Sequence, residues 1–411
     1  MEVRLENTAS ATTNNDPAHC FVAIELSKSS WVLGFQTPLA KQTSRYQVKA
    51  CDAKALLELI ERVRSRMARE LGRPVEVMSC YEAGYDGFWL HRVLEAHGIH
   101  NHVLDPASLQ VNRRARRPKT DRIDADRMVR ALIRHLRGEP EACSVIRVPS
   151  PEQEDARRLH RERDRLIAER VAHVNRVKGL CATQGIYDYE PLRSDRLKRL
   201  EKLRTGDGRA LAPRLKAEIV REIKRLEVVL EMISTVEAER DAILTEKKST
   251  HLNADKIKML AKLKAIGAEF STTLVGEVFY REFANRRQLG SYVGLASSPF
   301  CSGSLDRDQG ISKAGNPKAR VMMIELAWTW LRYQPESALS RWFRQRVGNL
   351  KGRPRRIAIV AMARKLLVAL WRYLQTGVVP TGAELKSSKQ LKETRANTTI
   401  QGGCVTVAGL G

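Results

Sequence analysis

Asp121 and Asp124, in the run Lys119, Thr120, Asp121, Arg122, Ile123, Asp124, stand three residues apart directly behind Arg113, Arg114, Arg116 and Arg117. Residues three apart on a helix share a face, so this spacing aims both carboxylates at one spot. Arginines gathered to attract an anion gain nothing electrostatically from acids at the same place, unless those acids hold a cation. The pairing therefore points to a metal-dependent site for cutting or joining a phosphate backbone. Glu25, inside the apolar run from Phe21 to Leu26, and Glu82, closing the apolar run from Pro74 to Tyr81, suit the same chemistry. A hard ion such as Mg2+, or Mn2+ in its place, takes carboxylate oxygens, and a pair of ions about 3.5–4 Å apart polarises both the attacking and leaving oxygens. Four carboxylates offset the charge of two such ions. Each acid also has a plain structural use: Glu25 on the solvent face of an edge strand, Glu82 in a solvated loop, and the two aspartates in the first turn of a helix.

The charge balance names the partner class. Lys and Arg total 72 against 47 Asp and Glu, a net +25, which suits a polyanion bound through phosphate contacts and counterion release. Anionic membrane is the competing polyanion, yet no apolar run approaches the roughly 20 residues needed to span a bilayer. The segment Thr8 to Asp16 has neither the basic nor the apolar block of a secretory signal, so a soluble cytoplasmic protein is expected. Seven cysteines are scattered singly, with no CxxC, which argues against structural zinc and a disulfide framework.

The elements that must position these residues follow from periodicity. Residues 1–18 are polar and aperiodic, and read as a disordered tail. Phe21 to Leu26 and Trp31 to Phe35, separated by Ser27 to Ser30, read as a β-hairpin. Leu56, Leu57, Leu59, Ile60 and Val63 have helical spacing, Pro74 to Tyr81 is a strand, Leu90, Val93 and Leu94 mark a helix, and His102 to Leu104 a further strand. This alternation makes 19–150 an α/β domain. Over 151–250, Leu159, Leu166, Val171, Val174, Val177 and Leu180, then Leu215, Ile219, Leu226, Leu230, Ile233 and Val236, form narrow stripes on two long helices. They suit an antiparallel coiled-coil hairpin or dimerisation arm, on the order of 45 Å long for thirty residues. A mostly α-helical domain fills 251–376, with a helix-to-helix turn at Ala265 to Gly267, a Ser- and Gly-rich loop from Gly294 to Gly315, and apolar helices at Val321 to Leu331 and Ile357 to Leu374. The remainder, 377–411, reads as a disordered tail.

With these pieces in place the chain resembles the DEDD-type insertion-sequence transposases. The matching residues are Ile24, Glu25, Leu26, Ser27, Lys28; Tyr81, Glu82, Ala83, Gly84; and Lys119 to Ala125, the last being the most specific. The resemblance covers about residues 20–375. It implies a RuvC-like (RNase H fold) domain, a coiled coil, and a C-terminal transposase domain carrying a nucleophilic serine. By that similarity Tyr292, Val293, Gly294, Leu295 leads to Ser302 as the nucleophile, and Ile311 to Asn316 follows, with Lys313 as a phosphate contact. Glu25, Glu82, Asp121 and Asp124 become ligands of Mg2+ or Mn2+, and Arg113, Arg114, Arg116, Arg117 and Lys119 contact nucleic acid. The resemblance also implies DNA partners, a guide (bridge) RNA, and a dimer or tetramer.

Two departures stand out. The family's first acid is typically Asp, whereas Glu25 is one methylene longer; Asp86 and Asp105 are neighbouring alternatives. The turn Ala265, Ile266, Gly267, Ala268 keeps only part of a Pro-Gly-x-Gly phosphate-binding hairpin. No residue close to Ser302 in sequence is an obvious base, and serine needs its proton removed or its oxygen bound before it attacks. Two other readings stay open: a RuvC-like, structure-selective nuclease in which water attacks and Ser302 is a turn residue, and a non-catalytic nucleic-acid-binding relative disabled at Glu25.

Overall fold

The computed structural model describes residues 16–40, 42–109, 121–246, 249–302 and 305–387. The chain divides into two compact units, Met1–Pro149 and Ser150–Gly411. In the first, strands β1 (Ala18–Glu25), β2 (Ser30–Gln36) and β3 (Ser44–Lys49) form an antiparallel meander. Helix α1 (Ala53–Leu71) then crosses over to β4 (Val75–Glu82), which pairs parallel to β1, and α2 (Trp89–Ala96) crosses over to β5 (His100–Leu104), parallel to β4. The sheet order is β3-β2-β1-β4-β5. Glu25 therefore does not lie on an edge strand: β1 is the central strand, with a partner on either side.

Alternation along the strands divides their side chains between two cores. Val22, Ile24, Leu33 and Tyr81 pack with Leu56, Leu59, Ile60, Leu90 and Leu94 on one face. Ala23, Cys80 and Leu104 pack on the other with Met128, Val129 and Leu132 of α3 (Asp121–Leu136). Gly34 permits the close approach of this helix, because a Cβ there would lie 3.5 Å from Ala125 Cβ and 3.2 Å from Thr43 Cγ2. The hydrogen bonds from Arg45 to Asp126 fasten the same helix to β3.

The second unit is mostly helical: α4 (Pro151–Asp155), α5 (Arg158–Ala182), α6 (Arg196–Lys202), α7 (Pro213–Thr245), α8 (Ala254–Ala261), α9 (Ala268–Leu274), α10 (Arg286–Val293), α11 (Pro317–Tyr333), α12 (Ala338–Val347) and α13 (Arg353–Thr376). α9 runs on into a π-helical turn, Val275–Phe279. Helices α5 and α7 lie antiparallel, as the pairs Arg176–Glu218, His173–Glu222 and Arg163–Glu237 show by their opposite order. Leu166, Val229, Ile233 and Val236 are buried between them, but Val171 is exposed, so the stripe expected on the first helix is shorter than its sequence spacing suggests. Trp330, Met323, Leu326, Met362, Leu366 and Leu370 of α11 and α13 form the centre of the C-terminal core.

Two expectations are corrected here. The Ser- and Gly-rich segment is not simply a loop, for β6 (Ser297–Ser302) and β7 (Leu305–Ile311) pair as an antiparallel hairpin. Its polar composition conceals the strand pairing because the ladder is made by backbone groups. The chain after Gly377 also stays engaged to residue 387: Leu385 bridges Leu263, Glu384 accepts from the Lys264 amide, and the Gln334 side chain bonds the Glu384 backbone on both sides. Absence of side-chain periodicity did not mean absence of backbone partners. Residues 1–15 and 388–411, the bulk of the two expected tails, lie outside the described residues.

Candidate carboxylate site and serine hairpin

The parallel ladder of β1 and β4 runs from Ala18 opposite Val75 to Ala23 opposite Cys80. Two residues further along each strand, the same offset brings Glu25 level with Glu82, each the last residue of its strand. Neighbouring strands lie about 4.8 Å apart, so two acids 57 positions apart in sequence become adjacent. Their face is fixed by the same alternation. Ala23 and Cys80 point toward α3, and the residues two further on share that side. Both glutamates are half-buried.

Helix α3 begins at Asp121 and lays its first turns on this face. Asp124, one turn on, is buried and pairs with Arg127 at 3.2 Å. The Cys80 thiol donates to the Met128 carbonyl at 3.7 Å, which registers the helix against β4. Burial drives the Cys80 thiol well above its ordinary range, assisted by the charges of Cys143 and Glu82, so it serves as packing and not as a nucleophile. Asp105 follows β5, but one of its oxygens accepts the Ala107 amide at 3.0 Å. Among the described residues, no three His, Cys, Asp or Glu side chains lie close enough to hold a metal ion. The available donors are all carboxylate oxygens, which suits a hard divalent cation and not a soft one. The basic run Arg113, Arg114, Arg116, Arg117 and Lys119 lies outside the described residues.

Ser302 ends β6, opposite Leu305, at the tip of the hairpin in the second unit. The hairpin's base is a clasp between two stretches singled out in the sequence. The Asn316 amide donates to Tyr292 carbonyl at 2.8 Å, the Ser312 amide to Ala296, and Arg320 to the carbonyls of Val293 and Lys313. Gly294 (φ 74°) and Gly315 (φ 89°) are needed there, since a Cβ would fall 2.0 Å from Ala314 O in the first and 2.2 Å from Tyr292 O in the second. Lys313 is itself left-handed (φ 57°) and exposed beside this clasp.

Sequence reasoning missed the most fully satisfied acid of the second unit. Glu277, in the π-helical turn, is 2% exposed and accepts from His160 Nε2 at 2.8 Å, Arg161 Nε and Nη2 at 2.8 and 3.1 Å, and Asn316 Nδ2 at 2.8 Å. Burial pushes this carboxyl upward, but the His160 and Arg161 hydrogen bonds, the Arg161 charge and the Asn316 amide together hold it well below the ordinary carboxylate range. His160 is pushed below its usual value, chiefly by burial, so it meets Glu277 as a neutral ring with its proton on Nε2. The Tyr292 hydroxyl donates to the Glu277 carbonyl, and Asn316 caps α11, so the cluster links α5 to the foot of the serine hairpin. A lone acid in the apolar run Leu274 to Phe279 was the available signal, because an acid among such neighbours must be paired.

Comparison with known proteins follows the same division. A DEDD transposase profile of the IS110 type matches residues 22–183, and a profile described as transposase IS116/IS110/IS902 family matches 257–341. A transposase-named protein of Sinorhizobium fredii, y4rJ, is 49% identical over 89% of this chain and 94% of its own length. The transposase for insertion sequence element IS1111A of Coxiella burnetii is 25% identical over 69% of this chain and 74% of its own. That for IS1328 of Yersinia enterocolitica is 24% identical over 64% and 73%.

Proposed function

This chain belongs to the IS110 family of transposases, and we propose that it excises and inserts a mobile DNA element through a serine-linked intermediate assisted by a divalent-cation site. Its DEDD domain implies an RNase H-like fold, with which the mixed sheet and flanking helices agree. The observation that carries the proposal is the strand register that brings Glu25 and Glu82 to adjacent ends of β1 and β4 on the face covered by α3. Glu25, Glu82, Asp121 and Asp124 would hold Mg2+ or Mn2+. Such an ion, when bound, supplies charge to offset that developing on the transferring phosphoryl group.

The chain's own part begins with binding: Arg113, Arg114, Arg116, Arg117 and Lys119 attract the DNA backbone, and Lys313 steadies a phosphate beside the hairpin. The Ser302 hydroxyl then attacks phosphorus. Its Oγ–P bond forms as a P–O bond of the strand breaks, leaving a phosphoserine and a free DNA hydroxyl; the serine proton departs to solvent or a nearby base. Attack by a hydroxyl of a second strand releases the serine and rejoins the DNA. The longer Glu25 keeps the ligand type while reaching one methylene further than Asp. A guide RNA that pairs with both DNAs would leave the protein to read backbone and shape, and the net charge of +25 accommodates two nucleic acids.

Denaturing gels of end-labelled cognate DNA incubated with protein and Mg2+ test this reading. Labelled DNA bound covalently to protein, lost in Ser302→Ala and in Glu82→Gln, is the expected result. Free ends, with cutting unaltered in Ser302→Ala, would instead establish hydrolysis by water. Sequencing the RNA that copurifies with the protein, and repeating target binding after RNase, examines the guide separately.

A further inference from the structure

The second unit carries a concentration of positive charge that the proposed chemistry does not use. Residues 337–383 contain ten Lys and Arg and no Asp or Glu. Arg341, Arg344 and Arg346 lie on α12, Lys351 in the connection, Arg353, Arg355 and Arg356 at the start of α13, and Arg364, Lys365 and Arg372 further along it. All but Arg364 are exposed. Among the described residues, the one ion pair made by any of the ten is Arg344 with Glu336, at 3.7 Å between exposed groups. Elsewhere in the same unit the chain neutralises its cations freely, as the pairs Arg163–Glu237, Arg176–Glu218 and Arg196–Glu227 along α5 to α7 illustrate.

Like charges brought together on a helical hairpin repel one another, and a fold gains nothing by leaving them unpaired unless an external anion completes the balance. The patch is also held in shape. Its inner side packs Phe343, Val347, Ala358, Ile359 and Met362 into the C-terminal core. Arg355 lies over the ring of Trp328 at 5.2 Å and Lys365 over that of Trp342 at 4.8 Å, with Trp328 itself partly exposed and set edge-on to Phe343. These flat contacts fix where two of the cations stand without neutralising either. The surface begins where the matched transposase profile ends, at residue 341.

We propose that the α12–α13 hairpin is a second, sequence-independent binding surface for the phosphate backbone of duplex DNA, with Arg353, Arg355 and Arg356 at its centre. A transposase must hold DNA, and a surface of exposed cations without acids matches a regular row of phosphates, whereas a protein partner would require acids or an apolar face to meet it. Its role is to hold duplex beyond the reacting phosphates, so its loss weakens affinity without removing chemistry.

The experiment compares full-length protein with Arg353→Ser/Arg355→Ser/Arg356→Ser, measuring affinity for a random-sequence duplex across a salt series in the absence of divalent ions. Because no strand is cut, the result does not depend on whether Ser302 is the nucleophile. Each phosphate contact adds about 0.9 to the slope of log affinity against log salt, so the triple variant should be shallower by ~2 to 3 and should bind at least tenfold more weakly at low salt. Removing three charges from α1 instead, by Arg62→Ser/Arg66→Ser/Arg69→Ser where acids interleave with the cations, should change it far less. Arg353→Lys/Arg355→Lys/Arg356→Lys should keep the original slope. If the triple variant loses its fold, the single substitutions Arg353→Ser and Arg356→Ser replace it, each expected to lower the slope by about 0.9. An unchanged slope, equal loss in the α1 control, or loss confined to single-stranded RNA would overturn the proposal.

Discussion

The two acidic sites of this molecule use the same side chain toward opposite ends. Glu277 is sealed in the second unit beneath a histidine, an arginine and an asparagine, and its own chain meets every demand of the carboxylate. Glu25 and Glu82 end adjacent strands half-buried, and the nearby Asp124 has one half-exposed arginine beside it. A carboxylate enclosed by fixed donors is a fastener, because any ligand would have to displace its partners. A group of carboxylates gathered at the end of a sheet holds negative charge in a place that a cation can still reach. Completeness of internal pairing, more than residue type, separates the two.

The comparison is broken or sharpened most strongly at the sheet edge. Glu82→Gln should lower DNA strand transfer by roughly a thousandfold, since losing several kcal/mol of charge stabilisation at about 1.36 kcal/mol per decade gives that scale, with little change in melting temperature. A large fall in melting temperature would make Glu82 a fastener after all. Glu277→Ala should do the converse, costing about 3–5 kcal/mol of stability in a denaturant titration, because it strands Arg161 and the buried His160. Acidification should act on the same cluster. His160 is depressed in the folded state, so the unfolded chain takes up its proton first and stability falls as pH drops below about 6.5. Glu277, also depressed, adds stability that is present above its unfolded value near 4.3 and is lost as pH falls further, through its folded value. Thermal melts from pH 8 to 4 should show both losses, and Glu277→Ala should remove most of the second. The smallest effect is expected at Arg176→Ala, where an exposed pair with Glu218 is worth about 0.2–1 kcal/mol.

The sequence revealed most where side chains determine structure. The run Phe21 to Leu26, the helix around Leu56 to Val63 and the strand ending at Glu82 are visible because burial imposes a period on apolar residues. Strand β3 was missed because it is an exposed edge, Ser44 to Lys49, with one half-buried side chain. Helix α12 was missed because arginines dominate it, and the Ser302 hairpin because backbone pairing leaves no mark on serines and glycines. For the candidate site, the spacing of Asp121 and Asp124 was legible and proximity of Glu25 to Glu82 was not: a local pattern cannot report the register of two strands separated by a helix. Glu277 and His160 were hidden for a related reason, since each is one member of a pair 117 positions apart.

The parallel register of β1 and β4 has a consequence for the order in which this protein becomes dangerous to DNA. Antiparallel neighbours can zip from a short turn, but β1 must wait for α1 and all of β4 to emerge before its last residue gains its companion. Glu25 is then still without α3, which follows some forty residues after β4 ends. A nascent or truncated chain thus carries DNA-attracting charge before it carries a cutting edge. Competence arrives with the long-range closure of the sheet, so fragments of the gene product should occupy DNA without breaking it.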